Sequence, residues 1–321
     1  MTPWRIIKIF LLMNFLLTGC VFIKLPVAGP LAEKVIGGQG RAKIAVIDIS
    51  GVIKSGDHRK VLSLKKGPGI VARIKEELDL ASKDPDVKAL ILRINSPGGS
   101  VTPSDIINHE IKAFKKDKKI PVVAHLMDTA ASGAYYIAVA SDVIVAQPTT
   151  VTGSIGVISF NIKATGLMEK IGIENRTLKS GPKKDMGSSL REMTGEERKI
   201  LQSIIDELYG RFLDVVVEGR KAFKGREDLK TIADGRVYTA KQALKLNLID
   251  SIGYMDDAIE EAKKLAGVEE ARIITYAPTG SYKNNMYSMG GMAVPEINLV
   301  NIDAGPLAGM PGIQFMYLWM P

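Results

Sequence analysis

A serine among small residues is the first candidate for chemistry in this chain. Ser132 lies in the segment Asp128–Tyr136, directly before a predicted helix. A serine at this place is also a favoured helix N-cap, and spacing alone favours the cap. Upstream, Asn95-Ser-Pro-Gly-Gly99 follows an apolar run that predicts a buried strand. Its glycines can expose backbone N–H groups to a ligand, although the motif alone is as typical of an ordinary turn.

The combination of the two turns favours a nucleophile over a cap. Both turns follow neighbouring strands of a predicted parallel sheet, and ligand sites of α/β proteins form where such strands end. The amide of Gly133 and the amides of Gly98 or Gly99 are then expected to face a shared point. This arrangement binds the oxyanion of an acyl-transfer reaction.

The base that would activate this serine is not set by the pattern. A nucleophilic serine needs a base, but His58, His109 and His125 lie in a predicted loop, helix and strand without a place in a triad. Lysine is the other candidate, because burial lowers its pKa. The segment Lys179–Met186 contains Lys179, Lys183 and Lys184. Spacing does not choose among them, and surface lysines in a loop are the simpler interpretation.

The elements that must position these residues alternate between strand and helix. Hydrophobic periodicity and β-branched runs predict strands at Lys43–Ile49, Val87–Ile94, Pro121–His125 and Val143–Ala146, with helices at Ile70–Ala81, Pro103–Lys116 and Ser132–Ala140. Further elements are predicted as helices near Ala164–Ile171, from the capping box Thr194–Glu197 to about Arg220, at Tyr238–Leu246 and at Met255–Leu265, and as a strand at Glu174–Lys179. The alternation predicts an α/β fold with a mainly parallel sheet flanked by helices.

The N-terminal residues 1–20 have the pattern of a signal peptide. A basic start precedes the short apolar run Ile9–Leu17. Leu17-Thr-Gly-Cys20 resembles a bacterial lipobox, in which Cys20 is acylated. The alternative is an uncleaved signal anchor that continues through Ile23. Both predict attachment to the cell membrane with the body on the extracytoplasmic side, and residues 21–41 are predicted to be a linker.

Composition limits the remaining classes of function. The chain has 321 residues, is 46% hydrophobic and has a formal net charge of +8, so it can form one large domain or two small ones. The positive charge suits anionic lipid head groups or simply solubility. Basic and aromatic residues are not interleaved as in nucleic-acid-binding proteins, which argues against a nucleic-acid partner. Cys20 is the single cysteine, so the body is expected to fold without disulfides.

Five motifs in order point to a known family. They are Ser96–Gly99, Ala131–Tyr136, Thr152–Val157, Lys179–Asp185 and Ala233–Tyr238. Over residues 42–266 they resemble the signal peptide peptidase A family in its short, single-copy form. These are Ser-Lys peptidases of the Clp-protease/crotonase-like superfamily. The resemblance implies that α/β fold for residues 42–266, followed at 267–321 by a strand and a Gly-, Met- and Pro-rich tail.

The resemblance also implies roles for individual residues. Ser132 corresponds to the nucleophile, Lys184 to the general base and Ser154 to the residue that supports the lysine amine. The oxyanion donors correspond to the glycine turn and to the residue after the nucleophile, namely Gly98, Gly99 and Gly133. No metal and no cofactor are implied. The family usually has a second glycine where this chain has Ala134, whose methyl group is expected to be tolerated but could narrow the substrate groove.

The expected function is that of a membrane-anchored serine endopeptidase acting on cleaved signal peptides or other apolar peptides. The resemblance implies a homo-oligomer, expected to be an octamer, in which neighbouring subunits complete the dyad. The tail end resembles a peptide that such an enzyme would cut, so it either occupies a groove or is a disordered or interface segment. Alternatives are a non-catalytic peptide-binding lipoprotein scaffold and, less favoured because CoA is cytoplasmic, a crotonase-type acyl-CoA hydratase or isomerase.

Overall fold

The computed structural model describes residues 29–54, 69–279, 281, 283, 285–288 and 314–320. The predicted signal segment, with Cys20, lies outside these ranges, as does His58. The strands are β1 Leu31–Gly38, β2 Lys43–Ser50, β3 Val87–Ser96, β4 Gly98–Ser100, β5 Val122–Ala131, β6 Val143–Ala146, β7 Val151–Gly153, β8 Ile158–Ser159, β9 Val237–Thr239, β10 Ser251–Ile252, β11 Arg272–Pro278 and β12 Phe315–Leu318. The helices are α1 Ile70–Lys83, α2 Val101–Lys118, α3 Gly133–Ala138, α4 Thr165–Lys170, α5 Gly195–Gly219, α6 Arg226–Lys230, α7 Ala240–Lys245 and α8 Met255–Ala266.

The main sheet is mostly parallel and is covered by helices on both faces. Its order is β1-β11-β2-β3-β5-β6-β10, with β7 beside β5 and β9 beside β7. Alternate residues of β2 point to opposite faces: Ala45 and Ile47 pack with α1 and α2, whereas Ile44 and Val46 pack with α8. Burial on both faces explains why the central strands are nearly continuous apolar runs. The predicted α/β class is confirmed.

Strand β5 continues further than its apolar run predicted. Its first half pairs with β3 and β6, and residues Thr129–Ala131 then pair in parallel with β7. The change of neighbour keeps the strand hydrogen-bonded up to the residue before Ser132. The nucleophile candidate therefore stands at the end of a fully supported strand.

Three predictions of local structure were wrong. Part of the expected linker 21–41 is strand β1, because residues 31–38 pair antiparallel with β11. Residues 174–179 are not a strand; they lie exposed without a pairing partner. The helix predicted from Tyr238 begins at Ala240, because the Thr239 side chain caps it by accepting a hydrogen bond from the Gln242 amide at 3.3 Å.

The capping box at the start of α5 is confirmed and connects to the preceding loop. The Thr194 hydroxyl accepts a hydrogen bond from the Glu197 amide, and the Glu197 carboxylate accepts one from the Thr194 amide. Arg191 donates to Glu197 and also to Asp185 at 2.7 Å. These bonds to Arg191 are the main reason why the pKa of Glu197 falls to about 2. The lysine-rich loop is thus tied to the first turn of α5.

A buried ionic cluster holds the segment that follows β11 against the sheet. Arg93 and Asp48 are paired residues of β3 and β2, with Nε and Oδ1 2.6 Å apart. The Lys283 amine lies 2.9 Å from Asp48 Oδ2, and Arg93 donates to the carbonyl of Ser288 at 2.9 Å. Burial opposes ionisation of Asp48, but the two cations keep its pKa below the usual value. Lys283 and Ser288 are therefore held against the core.

None of the helices in the described ranges has the length and apolarity required to cross a membrane.

Candidate active site

Ser132 forms a sharp, strained turn between β5 and α3. Its φ of 56° and ψ of −118° lie in a region that residues with side chains rarely adopt. The turn is held by its backbone, since the Ser132 N–H donates to the Gly153 carbonyl at 2.7 Å and its own carbonyl accepts from Tyr136 at 2.9 Å. The hydroxyl makes no capping hydrogen bond to the helix. Ser132 thus occupies the N-cap position without capping the helix through its side chain. The strained strand-to-helix turn is similar to turns that present nucleophiles, and the catalytic role of Ser132 stays a prediction.

Ser154 follows strand β7 at the position that corresponds to Ser132 after strand β5. Ala131 and Gly153 are paired residues of β5 and β7, so Ser132 and Ser154 each follow one member of this pair. Ser154 also has a positive φ, of 50°, and its N–H donates to the Arg236 carbonyl at 2.7 Å. Ser132 is 1% exposed and Ser154 is 7% exposed. The structure thus brings together the predicted nucleophile and the predicted supporting serine.

The predicted oxyanion glycines pack backbone against backbone. Gly98 has a φ of +94°, and a methyl group added to it would lie 2.7 Å from the Gly133 nitrogen. A methyl group added to Gly133 would lie 3.3 Å from the Gly99 nitrogen and 2.5 Å from the Ser104 hydroxyl. Side chains are excluded here by space, and at Gly98 by backbone conformation as well. All three predicted glycines therefore belong to one site beside Ser132.

The hydrogen bonds of β4 show which way its amides point. The Ile53 N–H donates to the Gly98 carbonyl at 2.9 Å, and the Ser100 N–H donates to the Ile53 carbonyl at 2.7 Å. Backbone polar groups alternate in direction along a strand, so those of Gly99 face the opposite side. An acceptor on that side would meet the Gly99 amide next to the turn of Ser132.

The last described segment of the chain occupies that side. Strand β12 pairs antiparallel with β4, with Tyr317 opposite Gly99, and it pairs with β8 along its other edge. The Trp319 N–H extends the ladder by donating to the Pro97 carbonyl at 2.9 Å. The Tyr317 carbonyl oxygen would lie 3.0 Å from a methyl group placed on Gly133. This part of the tail is docked as an extended strand, one of the two predicted alternatives.

An aromatic pocket holds the Tyr317 side chain. Its ring stacks on Tyr136, with centroids 5.1 Å apart, and lies 4.7 Å from the ring of Phe212. Its hydroxyl donates to the Leu208 carbonyl at 2.8 Å. Burial raises the pKa of Tyr317, so the phenol is neutral. The Tyr136 hydroxyl in turn donates to Asp105.

This pocket was not predicted from the sequence. Tyr136 entered the sequence analysis only as the end of the motif Ala131–Tyr136. Nothing in the sequence near Phe212 marks a site, because Phe212 meets Tyr136 only through tertiary packing. Ala134, within the same motif, is fully buried within the main core. The added methyl group is thus accommodated, as expected.

Within one chain, the structure shows no contact of Lys184 with Ser132 or Ser154. It is exposed, and no described residue forms a hydrogen bond or ion pair with its amine. Its neighbours differ, since Lys179 pairs with Asp185 at 2.8 Å and Lys183 pairs with Glu196 at 2.6 Å. The role of Lys184 stays a prediction.

The described histidines offer no alternative base. His125 is fully buried in β5, six residues before Ala131 in the chain, and burial lowers its pKa to about 4. His109 is exposed on α2. Neither forms a hydrogen bond with Ser132. A conventional Ser-His arrangement is therefore not present among the described residues.

Comparison with known proteins identifies similar chains. The model of peptidase family S49 matches residues 114–269. A signal peptide peptidase SppA of Enterococcus faecium is 36% identical over 74% of this chain and 68% of its own length. A protease of Synechocystis sp. is 39% identical over 73% of this chain and 78% of its own length. Among solved structures, a mutant of the 1510-N membrane-bound stomatin-specific protease in complex with a substrate peptide is 18% identical, with a TM-score of 0.44, over 75% of this chain and 95% of that one.

Proposed function

Because this chain belongs to peptidase family S49, the signal peptide peptidase A family, we propose that it is a membrane-associated serine endopeptidase that uses a Ser132–Lys184 dyad. Its substrates are cleaved signal peptides or other apolar, extended peptides. The observation that carries the proposal is the Ser132 turn, whose hydroxyl does not cap α3 and which lies beside the glycine amides. Family membership argues against the crotonase-type alternative.

The proposed reaction is acyl transfer to serine followed by hydrolysis. The neutral Lys184 amine takes the Ser132 proton while Oγ attacks the peptide carbonyl, and Ser154 orients the amine. The amides of Gly99 and Gly133 stabilise the oxyanion. The lysine then returns the proton to the leaving amine, and water releases the acyl group as a carboxylic acid.

A second copy of the chain is the proposed source of Lys184. The segment around the lysine loop exposes many large apolar side chains, and α4 within it buries none of its residues. The exposed side chains are Ile162, Leu167, Ile171, Ile173, Leu178 and Leu190. Large apolar side chains exposed at this density along one segment suit a protein–protein contact. We propose a homo-oligomer, an octamer, in which this surface and Lys184 pack against the Ser132 site of the neighbour.

The proposed location is the extracytoplasmic face of the cell membrane. Its support is the basic and apolar segment 1–20 with Cys20, which would be acylated or would continue as a signal anchor. Mass spectrometry of the mature N-terminus tests this: a diacylated Cys20 supports the lipoprotein, and an unprocessed Met1 supports the anchor.

Digestion of a peptide library tests the function. We expect Ser132→Ala to lower kcat/KM at least about 1000-fold, because the nucleophile is lost. The control is Ser203→Ala, which removes an exposed hydroxyl from α5 and should leave activity unchanged. Full activity in a folded Ser132→Ala protein would refute the assignment. A folded wild-type protein that neither cuts peptides nor reacts with a fluorophosphonate would instead support the peptide-binding scaffold.

A further inference from the structure

We propose that Arg191 is a positioning residue for the base, because it joins Asp185, the residue after Lys184, to Glu197 in the first turn of α5. The Lys184 loop is here residues 179–191. The inference rests on the proposed function, since it takes Lys184 as the base. It concerns a different residue, so the inference can fail while the proposed function stands.

The backbone of the Lys184 loop does not fix its own position. Residues 179–191 form neither a strand nor a helix. The Lys184 N–H donates to the Gly181 carbonyl at 3.2 Å, which closes a local turn. The Ala164 N–H donates to the Ser189 carbonyl at 2.8 Å, but α4, which follows Ala164, buries none of its residues. A link to the core must therefore come from side chains.

Asp185 binds both ends of the loop. Its Oδ1 lies 2.8 Å from the Lys179 amine at the start of the loop and 2.7 Å from Arg191 Nη2 at the end. Hydrogen bonds from Arg191, and then from Lys179, hold the pKa of Asp185 well below its usual value, so the carboxylate is ionised. Because Asp185 follows Lys184 directly, these two bonds limit where the backbone of Lys184 can lie.

Arg191 carries this restraint to the core. Its Nη1 and Nη2 donate to the two carboxylate oxygens of Glu197 at 2.9 and 2.5 Å, a bidentate geometry that fixes direction as well as distance. Glu197 is buried and belongs to the capping box of α5. The same helix packs into the main core through Phe212. The planar guanidinium bonds two carboxylates at once, which a lysine amine cannot reproduce.

A restraint of this kind affects the rate more than substrate binding. A catalytic group that is displaced by about 1 Å can lower the rate about 100-fold. The base takes its proton only as the serine oxygen attacks, so its placement enters kcat more than KM. None of the described hydrogen bonds of Arg191 reaches Ser132 or the glycine turn beside it.

Kinetics of full-length variants test the proposal with a fluorogenic peptide chosen from the library digest. We expect Arg191→Met to lower kcat about 30–100-fold and to change KM less than about threefold. Arg191→Lys keeps the charge but not the double bridge, so we expect an intermediate loss of about 3–10-fold. The matched control is Arg176→Met. Arg176 lies in the same exposed segment and pairs with Glu174 at 2.8 Å, and its loss should change kcat less than about twofold.

Asp185→Asn separates positioning of the loop from capping of α5. If Arg191 acts through Asp185, this variant loses at least as much kcat as Arg191→Met, and the double variant is no slower than Asp185→Asn alone. If Arg191 serves only the helix cap, Asp185→Asn keeps wild-type kcat. Light scattering of every variant measures its mass in solution, which should equal that of the wild type.

The outcomes distinguish the inference from the proposed function. Full activity of Lys184→Met would refute the base and, with it, the inference. Inactive Lys184→Met beside fully active Arg191→Met would overturn the inference alone. Additive effects of Arg191→Met and Asp185→Asn, or equal changes in kcat and KM, would also overturn it. A changed mass in solution would assign Arg191 to assembly instead of positioning.

Discussion

The Ser132 half of the site and the Lys184 loop are held in place by different forces. Ser132 and Ser154 are buried at the ends of paired strands, and their backbone groups are hydrogen-bonded to neighbouring strands. The loop that carries Lys184 is exposed, and nearby Leu178 is 98% exposed. Its described side-chain contacts are mainly ion pairs, from the exposed Lys183–Glu196 pair to the partly buried bonds of Arg191 with Asp185 and Glu197, and it takes no part in strand pairing. One chain thus brings together the predicted nucleophile and the predicted oxyanion donors, whereas it does not place the predicted base, Lys184, beside them.

The largest expected effect tests the loop. We expect Lys184→Met to lower kcat/KM at least about 1000-fold, because it removes the proposed base and none of the described cations forms a hydrogen bond with Ser132 that could replace it. The matched control is Lys183→Met, which removes the neighbouring amine and its surface pair with Glu196 and should change activity less than about twofold. Loss of activity in the control instead would assign the base to Lys183.

Co-expression of two inactive chains tests whether Lys184 acts in the site of the neighbouring subunit. If Lys184 acts in the neighbour's site, a random mixture of Ser132→Ala and Lys184→Met chains recovers up to about one quarter of wild-type activity. A mixed oligomer with no recovered activity would place both residues of the dyad in one chain.

A smaller effect is expected from a change in the glycine turn beside Ser132. Gly98→Ala should lower kcat/KM about 100-fold, because its methyl group would lie 2.1 Å from the Tyr317 carbonyl and 2.7 Å from the Gly133 nitrogen. Gly166→Ala in α4 is the control, since nothing lies within 4 Å of its added methyl group. Equal activity of the two variants would show that the glycine turn does not position the oxyanion donors.

The smallest expected effect concerns the free energy of unfolding and its dependence on pH. It tests the core on which the Ser132 half of the site is built. Glu77 is buried in α1, and burial raises its pKa from 4.5 to about 7, although Arg73 and Lys283 oppose the shift. The native state therefore holds this proton more tightly than the unfolded state. The stabilisation is complete below about pH 4.5 and is lost as the pH rises to about 7. Glu77→Gln should remove this loss, so its free energy of unfolding relative to wild type rises by about 1–3 kcal/mol over that range.

Denaturant titrations at several pH values measure this difference. His125, whose pKa is lowered to about 4, has the opposite slope, but it is present in both proteins and cancels. Glu76→Gln, on the exposed side of α1, is the matched control and should shift stability by less than about 0.5 kcal/mol at every pH. A pH-independent difference for Glu77→Gln would mean that Glu77 stays ionised in the native state.

The sequence predicted those elements whose formation depends on neighbouring residues. The apolar run Val87–Ile94 and the capping box at Thr194 were recognisable because burial and capping act within a few residues. Strand β1 was missed because its pairing partner, β11, lies more than 230 residues away in the sequence. The pocket around Tyr317 was missed for the same reason.

The site was only partly accessible from the residues alone. The two glycine- and serine-containing turns indicated an acyl-transfer site, and the structure brings Gly98, Gly99 and Gly133 together beside Ser132. Spacing could not separate a nucleophile from an N-cap at Ser132, whereas the backbone angles and the missing side-chain cap bond argue against the cap. The choice of Lys184 over Lys183 came from family resemblance, since the loop has no periodicity that would place either amine.

The buried cluster of Arg93, Asp48 and Lys283 also bears on how the last described strand is held. It keeps Lys283 and Ser288 against strands β2 and β3. Because β12 and β4 belong to the same chain, their pairing is intramolecular, and dilution of the protein does not weaken it. Any free strand that pairs with β4 must therefore displace one whose local concentration is fixed by the chain itself.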